Sequence, residues 1–208
     1  MTPVPIAVIG GYLLGSAPVA VLVGRAHGFD PRDAGDRNPG FWNVLELRGR
    51  KAAAPVFAGD LLKGTAAGLL GLALSGGETG PLGTVTGASV APVYAAVAAA
   101  MAGHSWPVFA GWRGGRSILA FAGGFAVLCP PAFGLGLVVL AGGTLAWRSF
   151  ARGARLAVFA LPVLQLAFAP AAHVAATGAL MSLIGLRFGQ AALANRRAVH
   201  RRAVHRRA

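Results

Sequence analysis

The chain has 208 residues, of which 55% are hydrophobic and 12% charged, and its formal net charge is +13. Soluble domains carry about 25% charged residues, so the composition excludes an ordinary water-soluble domain and reads as an all-α, polytopic integral membrane protein. A single cysteine, Cys129, excludes an intramolecular disulfide, and no Cys/His cluster has zinc-ligand spacing, so no metal is expected.

Residues 3–23 are the first predicted span, with Gly10, Gly11, Gly15 and Ser16 supplying a small-residue face for close helix packing. Met1–Val23 lacks the basic n-region of a secretory signal. A long polar loop is predicted over Gly24–Ala53, followed by a second span over about 54–75 that contains Asp60 and Lys63. At i and i+3 these two share a helix face and can pair, and charges inside a membrane default to a functional reading. Gly76–Gly83 is a turn without basic residues, and a third span covers about 84–102. Ile118–Leu128 and Ala132–Trp147 follow, parted by Cys129-Pro130-Pro131. The former is short for about 30 Å of hydrocarbon. After the basic loop Arg148–Arg155, the last two spans are Leu156–Phe168 and about 171–187, broken at Ala169-Pro170.

About seven transmembrane helices result. The loops after the first, third and fifth spans and the C-terminal segment hold every Lys and Arg except Lys63. The positive-inside rule then places the protein in the cell membrane as a multi-pass chain, N-terminus outside and C-terminus cytoplasmic. Residues 1–190 read as one transmembrane domain and 191–208 as a basic, low-complexity cytoplasmic tail built on RRAVH repeats. Such a tail suits anionic lipid headgroups, and because the basic residues fall in blocks between spans, nucleic acid is not the expected partner.

The loop Gly103–Ser117 (GHSWPVFAGWRGGRS) is too polar and glycine-rich to continue either neighbouring span. Arg113 and Arg116 flank Gly114-Gly115. Successive glycines can turn N–H groups toward one point, and guanidinium groups add charge and forked donors, which together suit a phosphate. A tight turn whose arginines only mark the cytoplasmic side is the competing reading. Trp42, Trp106 and Trp112 are expected at headgroup level, and His173, on the opposite side, as structural.

Three ordered stretches resemble the bacterial acyl-phosphate:glycerol-3-phosphate acyltransferases, as a divergent member. Gly35–Leu45 with Arg48–Ala53 is similar to the family loop GSGNxGATNVLR…LGKKAA; Asp60-Leu61-Leu62-Lys63-Gly64 is similar to DxLKG; Gly103–Phe109 with Trp112–Arg116 is similar to GHxFPVFxxFKGGKG. The resemblance covers residues 1–155 well. It implies a membrane enzyme of phospholipid synthesis that moves an acyl group from acyl phosphate to glycerol 3-phosphate, giving lysophosphatidic acid, with membrane lipids around it and no cofactor. It further implies a catalytic set of Asp36, Asn38, Asn43 and His104, with Arg113, Gly114, Gly115, Arg116, Arg148 and Lys63 around the substrate phosphates.

This chain departs from the pattern at several of those positions. Asp36 stands where the family has serine, Arg37 where it has glycine, Trp42 for threonine, Glu46 for arginine and Ser117 for glycine. Arginines 113 and 116 replace lysines, and Leu186–Ala191 has neither the histidine nor the asparagine of the family's C-terminal motif. A carboxylate at position 36 adds repulsion beside a phosphate unless it acts as a base or pairs with Arg37. The alternative is therefore a catalytically degenerate paralogue that binds or scaffolds phosphorylated lipid intermediates. An altered acceptor or donor and a small transporter are further readings. Oligomeric state is left open.

Overall fold

In a computed structural model, which describes residues 3–205, helix α1 (Val4–Gly15) carries a proline in its first turn, where a missing N–H costs no helical bond. It stops just ahead of Ala17-Pro18, because the residue before a proline is steered away from helical angles. The chain resumes as α2 (Val19–Ala26), and Val4–Ala26 together have the length and apolarity of one span. Along α1, Ala7, Gly11 and Gly15 form one buried stripe. A Cβ on Gly11 or Gly15 would strike the backbone of Ala96 or Ala100, so glycine lets α1 lie directly on α4 (Val90–Ser105).

Helix α3 (Phe41–Leu74) corrects the predicted boundary, since the first polar loop ends near Gly40 rather than Ala53. Phe41, Val44 and Leu45 cluster with Ala20, Phe29 and Val56, so motif residues that read as loop supply apolar packing. A kink at Gly49 (φ 76°) divides α3 into two helical pieces, in a left-handed conformation that glycine adopts without a Cβ penalty. The lower piece lies along α5 (Ile118–Leu128) with backbones in contact: a Cβ on Gly64 would meet the carbonyl of Ala120, and one on Gly123 that of Leu61.

Helices α6 (Pro130–Trp147) and α7 (Phe150–Gln165) form an antiparallel pair, and α8 (Ala171–His205) returns along the bundle. Helix α8 carries the RRAVH repeats in continuous helix through His205, and residues 206–208 lie outside the described ones. Among the described residues there is no strand, only one isolated bridge between Thr79 and Val85. Among the described residues the expected all-α class is formed by a set of helical segments. Five of them are long and apolar enough to cross a membrane: Val4–Ala26, Phe41–Leu74, Gly87–Ala110, Pro130–Trp147 and Ala171–Ala194. Helix α5 has 11 residues, only about 16 Å at 1.5 Å per residue, and α7 spends its first turns on Arg152 and Arg155. The short α5 is continued by loops instead: Val85 N–H bonds the Leu128 carbonyl (3.0 Å) at one end, and the glycine loop meets it at the other.

The interior is built around Val93, Val97, Met101, Phe121, Phe125 and Leu128. Large apolar side chains such as Ile9, Leu62, Val138, Phe159 and Val163 face outward, as a lipid-exposed surface requires. A buried polar knot joins α4, α7 and α8. Thr177 Oγ1 donates to Gln165 Oε1 (2.7 Å), Gln165 Nε2 donates to Tyr94 Oη (3.0 Å), and Tyr94 Oη donates to the His173 carbonyl (2.9 Å). With every polar group satisfied, the knot fixes the register of α8 against the bundle.

Candidate functional site

The site forms where α4 ends and the glycine loop doubles back onto its last turn. Ser117, in the left-handed region (φ 62°), places its hydroxyl 2.7 Å from both Ser105 Oγ and the Met101 carbonyl. Gly115 N–H donates to the His104 carbonyl (3.0 Å). The space a Cβ would take at Gly114 holds the His104 carbonyl and the Pro107 ring, and at Gly115 it holds His104 Nε2 and the Pro39 carbonyl. Both glycines are thus required by close approach.

Behind the loop lies a buried charged cluster. Lys63 Nζ is 2.9 Å from Asp60 Oδ1 and donates to the Ala17 carbonyl (3.2 Å). His104 Nδ1 is 3.5 Å from the same carboxylate oxygen, which leaves Nε2 facing Gly115. The i, i+3 pairing expected from the sequence is therefore formed, and His104 joins it from α4. A narrow cleft runs between this cluster and the glycine loop, lined by Lys63, Asp60, His104, Arg113, Gly114 and Gly115 together with Gly15 and residues 17–21 at the α1–α2 break.

The first polar loop covers the glycine loop through ionic contacts. Arg32 pairs with Asp30 (2.5 Å) and donates to the Ala110 carbonyl (2.9 Å). The hydrogen bond from Arg32 holds the Asp30 carboxyl at about 2, below its ordinary 3.8. Arg113 Nη2 meets Asp33 Oδ1 at 2.8 Å, and Arg116 Nη1 meets Asp36 Oδ2 at 3.1 Å. Asp36 thus pairs with Arg116, whereas the sequence left it as a base or a partner of Arg37.

Of the expected site residues, Lys63, His104, Arg113, Gly114 and Gly115 share the cleft, and Arg116 and Asp36 sit beside it as a pair. Asn43 is buried and spends its amide on the loop backbone: Nδ2 donates to the Pro31 (2.8 Å) and Ala34 (3.0 Å) carbonyls, and Oδ1 accepts from Asp36 N–H (3.2 Å). Asn38 donates its N–H to Asp36 Oδ1 (3.0 Å). Arg148 lies apart, exposed and left-handed (φ 47°) at the α6–α7 turn, where Phe150 packs on Trp42. Among the described residues Arg148 makes no ion pair or hydrogen bond with the others.

Sequence reasoning missed Arg187. From α8 its Nε donates to the Gly115 carbonyl (3.1 Å) and its Nη2 to the Gly114 carbonyl (2.9 Å), while the guanidinium lies over the Trp106 ring (5.1 Å). Because a trans peptide opposes its C=O and N–H, this clamp turns the Gly115 and Arg116 amides away from α8. The signal was present, since Arg187 is a charge within an otherwise apolar span-length stretch. Arg116 also lies against α8, its guanidinium over the Phe188 ring (4.7 Å), and its Nε is buried without an acceptor. A buried cationic donor left without a partner is costly. Among the described residues no three of His, Cys, Asp and Glu gather closely enough to ligate a metal ion.

A helical bundle with an apolar exterior, a buried Asp–Lys–His cluster and an arginine-flanked glycine loop at one end defines a polytopic integral membrane protein. A family model described as glycerol-3-phosphate acyltransferase matches residues 5–195, and the chain belongs to that family. The Rubrobacter xylanophilus glycerol-3-phosphate acyltransferase is 45% identical over 134 residues, covering 64% of this chain and 60% of that protein. The Neisseria gonorrhoeae (strain NCCP11945) glycerol-3-phosphate acyltransferase is 35% identical over 183 residues, covering 87% and 88% of the two chains. The match to the Rubrobacter protein thus spans about three fifths of its length. Among solved structures, PlsY (YgiH), an integral membrane glycerol 3-phosphate acyltransferase in its glycerol 3-phosphate form, superposes with a TM-score of 0.74 at 25% identity, covering 95% of this chain and 93% of that one.

Proposed function

We propose that this protein transfers an acyl group from acyl phosphate to glycerol 3-phosphate, releasing lysophosphatidic acid and inorganic phosphate. The observation that carries this reading is the convergence of Lys63, His104 and Arg113 on Gly114-Gly115 in a single cleft, beside the orphaned Arg116 Nε. Membership of the family and the matching fold of a relative described in its glycerol 3-phosphate form support the substrate class.

Acyl phosphate is already activated, so positioning and electrostatic stabilisation can supply most of the rate. Arg113, Arg116 and Lys63 neutralise phosphate charge, and Gly114-Gly115 let the loop close directly on His104. The primary hydroxyl of the acceptor attacks the acyl carbon, the acyl C–O bond to phosphate breaks, and the electron pair leaves with the phosphate. His104, held through Nδ1 by Asp60, takes the hydroxyl proton at Nε2. Asn43 serves this chemistry indirectly, by holding the loop that carries Asp36. Arg148 keeps a place only as a peripheral basic residue that draws anions to this end of the bundle.

The same reading sets the protein in the cell membrane with its N-terminus outside and its C-terminus cytoplasmic. The basic loops around Arg32, Arg113 and Arg152 meet at one end, through the Arg32–Ala110, Arg113–Asp33 and Trp42–Phe150 contacts. Purified protein in detergent, supplied with acyl phosphate and glycerol 3-phosphate, is expected to form lysophosphatidic acid detectable by mass spectrometry. A folded preparation that yields none across a panel of acyl-chain lengths refutes the reaction and leaves the degenerate, binding paralogue.

A further inference from the structure

The two arginines beside the glycine pair are each met by a carboxylate from the same covering loop, but the two contacts are not alike. Asp33 and Arg113 are largely exposed, with 67% and 58% of their side chains open to solvent. Asp36 is built into a turn. Its N–H is held by Asn43 Oδ1, its Oδ1 accepts from Asn38 N–H, and Asn43 is itself anchored on two loop carbonyls. That turn aims Oδ2 at Arg116 Nη1. Arg116 is pinned in turn by the Phe188 ring under its guanidinium (4.7 Å), with Nε buried and lacking an acceptor. A preorganised carboxylate thus rests against a preorganised guanidinium that still has a donor to spare.

We propose that Asp36 is a positioning residue that competes with phosphate for Arg116 and thereby sets the affinity of the glycine loop for phosphorylated ligands. A carboxylate carries one negative charge and here engages one guanidinium nitrogen. A phosphate dianion carries nearly two and can take the terminal nitrogens Nη1 and Nη2 together in a forked contact, which requires Asp36 to leave Nη1. Exchange toward phosphate is therefore favourable, while a singly charged anion gains little by displacing Asp36. The part-exposed Asp36–Arg116 pair is weak, like other solvent-screened ion pairs, so the competition is a threshold and not a block. With Arg116 released by Asp36, the turn at Gly35–Gly40 keeps its anchor through Asn43. This deepens the proposed function and rests on the glycine loop being its phosphate site.

The test is calorimetric titration of inorganic phosphate into the full-length protein in detergent, which needs no turnover. Asp36→Ser is expected to tighten phosphate binding by about two- to fivefold, the equivalent of an exposed ion pair. Asp36→Glu, which keeps the carboxylate, should stay near wild type. In an Arg116→Gln background, where binding is weaker, Asp36→Ser should give no gain. Asp36→Asn, which retains the acceptor for Asn38, replaces Asp36→Ser if the latter does not fold, with the same expectation. Unchanged or weaker binding in Asp36→Ser and Asp36→Asn, or an equal gain without Arg116, overturns the competition while leaving the phosphate site standing. Absence of phosphate binding in every variant and in wild type removes the phosphate site itself, and this inference with it.

Discussion

Removing one member of the Asp60–Lys63 pair tests whether the bundle depends on its buried charges. Asp60 is 2% exposed and Lys63 7%, at 2.9 Å separation. At an effective dielectric of about 20 the gross attraction at that distance is about 6 kcal/mol, much of it offset by desolvation of both ions. Deleting one partner leaves the other uncompensated, at a cost of about 3–5 kcal/mol. For a chain of this length each kcal/mol shifts the melting temperature by about 2–4 °C, so Asp60→Asn or Lys63→Met should each lower it by about 6–20 °C. The double change to Asn and Met removes both charges and should recover at least half of the larger single loss. Asp60→Asn should be the worse single change, because His104 loses its partner as well. The assay is thermal unfolding in detergent followed by intrinsic tryptophan fluorescence. If the two single losses simply add in the double variant, the residues are not coupled and the cluster is not what organises the site.

Other outcomes follow from specific contacts. Gly115→Ala places a Cβ against His104 Nε2 and the Pro39 carbonyl, whereas Gly134 faces open space; acyl transfer should fall at least about tenfold in the former and stay near wild type in Gly134→Ala, and equal rates would remove the loop from the site. Asp30 has a folded pKa of about 2, below 3.8, so its pairing stabilises fully above that ordinary value and is lost as pH falls through about 2. Asp30→Asn should therefore flatten the decline of melting temperature between about pH 4 and 2 relative to wild type, and parallel curves would contradict the linkage. Cysteines introduced at the exposed positions Glu78, Arg50 and Arg152 report topology: Glu78 should label from outside, and Arg50 and Arg152 only from inside, since native Cys129 is buried. Labelling of Arg152 from outside reverses the orientation.

Amino-acid order alone determined what depends on local chemistry. Apolar runs parted by basic blocks give the helical class and the approximate places of the spans, because hydrophobicity and charge act residue by residue along a span. Asp60 and Lys63 were legible as partners because three residues of helix bring them to one face, and the glycine face of α1 was legible for the same reason. Only tertiary structure decided the pairings that cross the bundle. Asp36 meets Arg116 and Arg187 grips Gly114 and Gly115 across gaps that no local periodicity describes. Asn43, expected in the catalytic set from its motif, is turned inward because three backbone groups of the covering loop need its hydrogen bonds. The start of α3 at Phe41 was hidden by the polar residues around it, since burial of Phe41 and Val44 against Ala20 and Val56 outweighs that local polarity. Charge complementarity between loops far apart in sequence is a property of the packed chain, and it is this packing that shapes the cleft.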